Sequence, residues 1–205
     1  RPPLWRSLQD LLADRRIRRL LAMNWFFSAA WDLHTFLVPL LGHERGLSAA
    51  AIGMVLGTFA ASVSGVRLLI PLLAERLQED QVLSGALVLA GLCCLGYGWA
   101  GSTGAMLACA VPLGMALGSA QPMIMTLLHQ VSPPGREGEA IALRSMLLNL
   151  SSALTPLGLG AAGGWLGAAG MFRVAGVVLT AAAWLPRRWR TAPPDQLDMA
   201  QVRAA

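Results

Sequence analysis

Hydrophobic residues in this chain fall into long unbroken runs, unlike the alternation of a strand or the one-sided stripe of a soluble helix. Six runs stand out: Leu20 to Leu41, Ala49 to Leu73, Val82 to Trp99, Thr103 to Leu128, Ala140 to Gly163 and Ala168 to Leu185. An α-helix rises about 1.5 Å per residue and the hydrocarbon core of a bilayer is about 30 Å thick, so roughly 20 apolar residues cross it. The pattern therefore predicts an all-α membrane protein of six transmembrane helices. The sixth is the shortest, because Arg173 leaves only Val174 to Leu185 uninterrupted, although an arginine at that edge can snorkel to the headgroups. The connections Gly42 to Gly46, Ala74 to Gln81, Ala100 to Ser102, Ser132 to Glu139 and Gly164 to Gly167 are rich in turn formers and too short to hold a separate domain.

The flanks read differently. In residues 1–19, Trp5, Leu8, Leu11 and Leu12 recur at helical spacing among Arg6, Asp10 and Asp14, which predicts a cytoplasmic linker with an amphipathic helix on the membrane surface. Residues 20–185 form the transmembrane bundle, and residues 186–205, with Pro193 and Pro194, a loose cytoplasmic tail. The chain starts at Arg1 instead of Met, and its first apolar run is too long for the core of a secretory signal, so a fragment with a missing upstream part is expected.

Composition supports the bilayer reading: 55% of residues are hydrophobic, 13% are charged and the mean hydropathy is +0.55, against roughly 25% charged in an average soluble domain. Among the charged residues only Asp32, Arg67, Arg144 and Arg173 lie inside the runs. The net charge of +5 does not indicate a nucleic-acid partner, because all 16 basic residues are arginines and most of them lie between or outside the apolar runs, at the membrane edge. Cys93, Cys94 and Cys109 sit in apolar runs without Cys-x-x-Cys spacing, which excludes a disulfide scaffold. Neither a G-x-S-x-G nor an H-E-x-x-H pattern is present, so no catalytic residue, metal or cofactor is expected and an enzyme is disfavoured. Nor is there a repeated filter-like loop of the channel kind.

Arginine also sets the orientation. Twelve arginines, including Arg15, Arg16, Arg18, Arg19, Arg76 and Arg136, fall on the side shared by the two termini, against Arg45 and Arg173 on the other, so both ends are predicted to be cytoplasmic. The Arg-only, Ala- and Gly-heavy composition suggests a bacterial inner membrane.

Polar residues divide the spans. The third carries little beyond Ser84, Tyr97 and two cysteines, and the sixth only Arg173 and Thr180, so both are expected to face lipid. The first carries Asn24, Ser28, Asp32, His34 and Thr35, the fourth Gln121, Thr126 and His129, and the fifth Arg144, Ser145, Asn149, Ser151, Ser152 and Thr155; these are expected to turn inward. Asp32 lies 12 residues beyond Leu20, about 18 Å into the slab and close to the midplane. A carboxylate there costs about 2.5–3.5 kcal/mol on insertion scales, so it borders water, carries a proton, or pairs with an Arg or Gln of a neighbouring helix.

Ser28, Asp32 and Thr35 share a helix face bordered by Trp31, a polar strip with an aromatic wall suited to a small organic solute. His34, about 200° round the helix from Asp32, is a second proton-carrying candidate. Gln121 and Met125 continue a face begun by Gly114 and Gly118, which reads either as a cavity lining or as a packing seam whose amide bonds another helix. With Asn149, these residues make up the expected solute site. Arg67 and Arg144 lie close to the cytoplasmic boundary, where they either snorkel or form ion pairs that break when a gate opens. Gly53, Gly57, Ala61 and Gly65 form a small-residue stripe down the second span that permits close helix approach.

The stretch Pro71-Leu72-Leu73-Ala74-Glu75-Arg76-Leu77-Gln78-Glu79-Asp80 resembles the G-x-L-A-D-R-x-G-R-K signature loop of the major facilitator superfamily. Leu73, Ala74 and Arg76 match, and Glu75 keeps the acid, while Pro71, Gln78 and Glu79-Asp80 replace the glycines and the basic pair. Pro134 to Leu143, running into Asn149 and Pro156, is also similar to the C-terminal half of such proteins. The resemblance implies helices seven to twelve of a twelve-helix carrier whose two six-helix bundles rock about a central cavity, lined here by the first and fourth helices. It further implies that Glu75, with Arg76, belongs to a cytoplasmic gate in which the acid caps a helix N-terminus of the other half.

Together these features predict secondary active transport of a small organic solute, a drug or metabolite, coupled to protons through Asp32. The expected partners are the solute, protons, the bilayer and a missing N-terminal six-helix half. The alternative is a transport-inactive membrane scaffold of the same fold.

Overall fold

The computed structural model describes residues 4–73 and 79–183, all helix and short connection. The elements are α1 (Leu4–Ala13), α2 (Arg15–Glu44), α3 (Ala49–Leu73), α4 (Glu79–Trp99), α5 (Thr103–Val131) and α6 (Glu137–Ala182). At Asp14 the backbone turns extended and the carboxylate accepts from the Arg16 and Ile17 amides at 2.7 and 3.4 Å, capping α2 at its N-terminus. The amphipathic N-terminal helix predicted from sequence is present as α1, and it docks on the bundle through Leu11, which is fully buried with Ile17 of α2.

At the far end of α2, Gly46 adopts φ 71°, and the amides of Leu47 and Gly46 bond the carbonyls of Gly42 and His43 at 2.9 and 3.0 Å. This is a Schellman closure, and it needs the left-handed conformation that glycine adopts without strain. Ser48 then starts α3 by accepting from the Ala51 amide at 3.2 Å.

α6 has 46 residues, about 69 Å of helix, more than twice the hydrocarbon thickness. Gly167, at φ 64° and ψ 170°, divides it. Before that residue α6 lies along α2 in the same direction, since Asn24 and Asp32 meet residues 144 and 152 in order. After it the chain returns antiparallel to α4, with Ala169 and Arg173 against Gly98 and Gly176 and Thr180 against Gly91. The expected turn at Gly164 to Gly167 is thus narrowed to one residue. The side chain of Glu44 accepts from the Ala168 amide at 3.2 Å, placing an acid at the start of the returning limb, where the helix dipole favours it.

Five helical segments are long and apolar enough to cross a membrane: Ala49–Ile70, Gln81–Trp99, Thr103–Val131, Glu137–Ala161 and Gly163–Ala182. α2, the first predicted span, is not among them. At 30 residues it is ample in length, but Asn24, Ser28, Asp32, His34 and Thr35 lower its hydropathy. The features that single it out as a functional helix are those that weaken its membrane signature.

α3 packs on α5, α5 on α4, α4 on the returning limb of α6, and α2 on α6 and α5. The α3–α5 contact is set by glycines of α5. A Cβ on Gly114 would lie 2.6 Å from the Phe59 carbonyl oxygen, and one on Gly118 would lie 2.9 Å from Val63 Cα. Gly53, Gly57 and Gly65 of α3 have nothing within 4 Å, so the small-residue stripe faces away from this seam. The outward faces of α4 and of the returning limb carry Leu89, Leu92, Trp99, Val174, Val177 and Val178, an apolar surface suited to lipid.

Candidate solute site between α2, α5 and α6

The parallel course of α2 and the first limb of α6 produces two polar rungs. In the lower one, Arg144 Nε donates to Asn24 Oδ1 at 3.0 Å, and Arg144 Nη2 donates to Gln121 Oε1. Three helices meet there, Asn24 is fully buried, and Arg144 is 8% exposed. In the upper rung Ser152 Oγ donates to Asp32 Oδ2 and Oδ1 at 3.1 and 3.3 Å. Asp32 is half-buried and Ser152 exposed. The rungs are eight residues apart on both helices, about 12 Å along the axis. Among the described residues Asp32 makes no ion pair, and its partner is a hydroxyl.

Of the other expected site residues, Ser28, Trp31 and Thr35 lie within about one turn of Asp32 on α2. Ser28 is buried on the same side of α2 as Asp32. Trp31 is half-buried and meets the Phe59 ring edge-on at 5.1 Å. Thr35 is exposed, with its hydroxyl donating to the Trp31 carbonyl at 3.0 Å. Met125 of α5 is half-buried, and Asn149, exposed on α6, lies in sequence between the residues of the two rungs.

His34 goes elsewhere. It is fully buried, stacked on Phe59 at 4.1 Å, with its Nε2 3.1 Å from the Tyr97 hydroxyl, and Tyr97 stacks in turn on Phe172 at 4.8 Å. This chain of rings ties α2 to α3, α4 and the returning limb of α6. Arg67 is exposed and makes no hydrogen bond or ion pair among the described residues. Glu75 and Arg76 lie outside the described residues.

The structure therefore joins Asp32 to Ser152 and Gln121 to Arg144, and leaves His34 and Arg67 apart from both. Sequence reasoning turned Asn24 and Ser152 inward but placed neither in the solute site. Asn24 was within reach of it, because Asn24, Ser28 and Asp32 follow at i, i+4 and i+8 on one face. Ser152 lies 120 residues from its partner, and no local spacing reports such a pair. A cavity of about 300 Å³ opens between α2 and the two limbs of α6, lined by residues such as Trp25, Ala29, Leu33, Leu166, Val174 and Val178. Its lining is almost wholly apolar and carries no charged side chain.

Five apolar membrane-length helices with polar side chains gathered between them define a polytopic α-helical membrane protein. A model of the Major Facilitator Superfamily matches residues 20–200, and the chain belongs to that family. A comparison with curated proteins finds no match. Membership assigns the chain to membrane transport of small solutes.

Proposed function

We propose that the chain is the C-terminal six-helix half of a twelve-helix secondary carrier, and that it couples transport of a small organic solute to proton movement through Asp32. In this reading α2, the first predicted span, also crosses the membrane and brings the five apolar spans to six, both termini are cytoplasmic, and the setting is a bacterial inner membrane. The observation that carries the proposal is the state of Asp32: half-exposed, deep in the helix, and held by a hydroxyl in place of a cation. A carboxylate locked to an arginine keeps its charge, whereas one bound by a single serine can take up and release a proton as water and solute come and go. Arg144, the basic residue on the neighbouring limb, is engaged by Asn24 and Gln121.

The solute site comprises Ser28, Trp31, Asp32, Thr35, Gln121, Met125 and Asn149, and the cytoplasmic gate Arg67, Glu75, Arg76 and Arg144. The burial of His34 among rings favours a packing role over proton transfer. In proteoliposomes, Asp32→Asn is expected to abolish uptake driven by a pH gradient and to retain solute exchange at equal pH. Gradient-driven uptake at the unsubstituted level would remove Asp32 from the coupling step.

A further inference from the structure

The lower rung is a cluster of hydrogen-bond donors around a permanent positive charge. A guanidinium carries five N–H donors and stays protonated in proteins. Arg144 uses one on Asn24 and one on Gln121, which leaves three unclaimed among the described residues. Both amides turn their oxygens to the arginine, so both present their NH2 groups as further donors. Asn24 Nδ2 is completely buried and has no hydrogen-bond partner. Buried polar groups are almost always paired, and a buried cation calls for a counter-charge. The two carbonyl oxygens supply hydrogen bonds but no net negative charge, and no acidic side chain forms an ion pair with Arg144 among the described residues. A negatively charged oxygen acceptor would pair the free guanidinium N–H groups and supply the missing counter-charge, and a planar carboxylate matches the fork of a guanidinium.

We infer that Arg144, Asn24 and Gln121 form an anion-binding site, and that the transported solute is an organic anion whose carboxylate docks on Arg144. This rests on the carrier reading above, adds the solute's chemical class, and moves Arg144 from the gate to the solute site. The position suits the role: the three side chains come from α2, α5 and α6, and the site lies about 12 Å along the α2–α6 pair from Asp32. A solute held by its carboxylate at Arg144 would extend along the face that carries Ser28 towards Asp32.

The test measures thermal unfolding of the purified full-length protein in detergent with benzoate or succinate, using the uncharged benzamide and succinamide as controls. The carboxylates should raise the unfolding temperature, less so at high ionic strength, and the amides should not. Arg144→Gln should weaken the carboxylate effect by about tenfold or more. Asn24→Asp guards against a misfolded variant, since it supplies a counter-charge from within. It should raise the unfolding temperature without added anion and abolish the carboxylate effect. Equal stabilisation by the amides, an undiminished carboxylate effect in Asn24→Asp, or no carboxylate effect at all would overturn the anion site. In the last case a carboxylate of the neighbouring bundle becomes the partner of Arg144. Intact gradient-driven uptake alongside any of these results would leave the carrier standing.

Discussion

Asp32 and His34 stand two residues apart and meet opposite fates, because a helix turns about 200° between them. One lies half-open against a serine of α6, and the other is closed in by Phe59 and Tyr97. If His34 serves the packing, removing its partner should affect stability and leave coupling alone. Tyr97→Phe strands a buried imidazole nitrogen and is expected to lower stability by about 1–3 kcal/mol in a denaturation assay. The pH dependence of uptake should be unchanged, and a shift in it would return His34 to the proton path. The polarity of these two residues was legible in the sequence, and so was their separation on the helix. Which of them the fold would seal was not, since the answer depends on rings contributed by α3, α4 and α6. Arg144 shows the same limit: its depth could be read from the sequence, but Asn24 and Gln121 lie 120 and 23 residues away.

Helix boundaries were readable where glycine and serine mark them, as at Gly46 and Ser102, whereas the Asp14 cap, counted with the surface helix, starts α2 five residues before the first apolar run. Helix contacts were less so. The i, i+4 glycines of α3 advertise a packing face, yet the close approach is made by Gly114 and Gly118 of α5 against Phe59 and Val63. Small residues show where helices can meet, and only the partner's bulky residues show where they do. Gly118→Leu should therefore destabilise the protein strongly, because its Cβ alone would press on Val63 backbone at 2.9 Å. Gly57→Ala, with open space around it, should fold as well as the unsubstituted chain or better by up to about 1 kcal/mol, the helix-propensity difference. Comparing the two by fluorescence-detected chromatography and thermal unfolding checks this; equal losses would mean that the stripe on α3 is also a contact face.

At the scale of the whole molecule, the bundle is unevenly finished. The outward surfaces of α4 and of the returning limb of α6 are apolar, while α2 and the first limb of α6 expose Thr35, Ser145, Asn149 and Ser152 among apolar residues such as Phe36, Met146 and Leu150. Exposure of that kind is costly against hydrocarbon and favourable against water, so on the proposed carrier reading these polar residues should border an aqueous hollow. The most direct measurement is thiol labelling in intact membranes, in a background where Cys93, Cys94 and Cys109 are replaced. Asn149→Cys and Ser152→Cys should react with a charged, membrane-impermeant methanethiosulfonate, and Leu92→Cys and Val177→Cys, also exposed but on the apolar side, should not. Protection of the first pair together with the second would contradict the account, because the carboxylate beside Ser152 would then have no water from which to draw a proton.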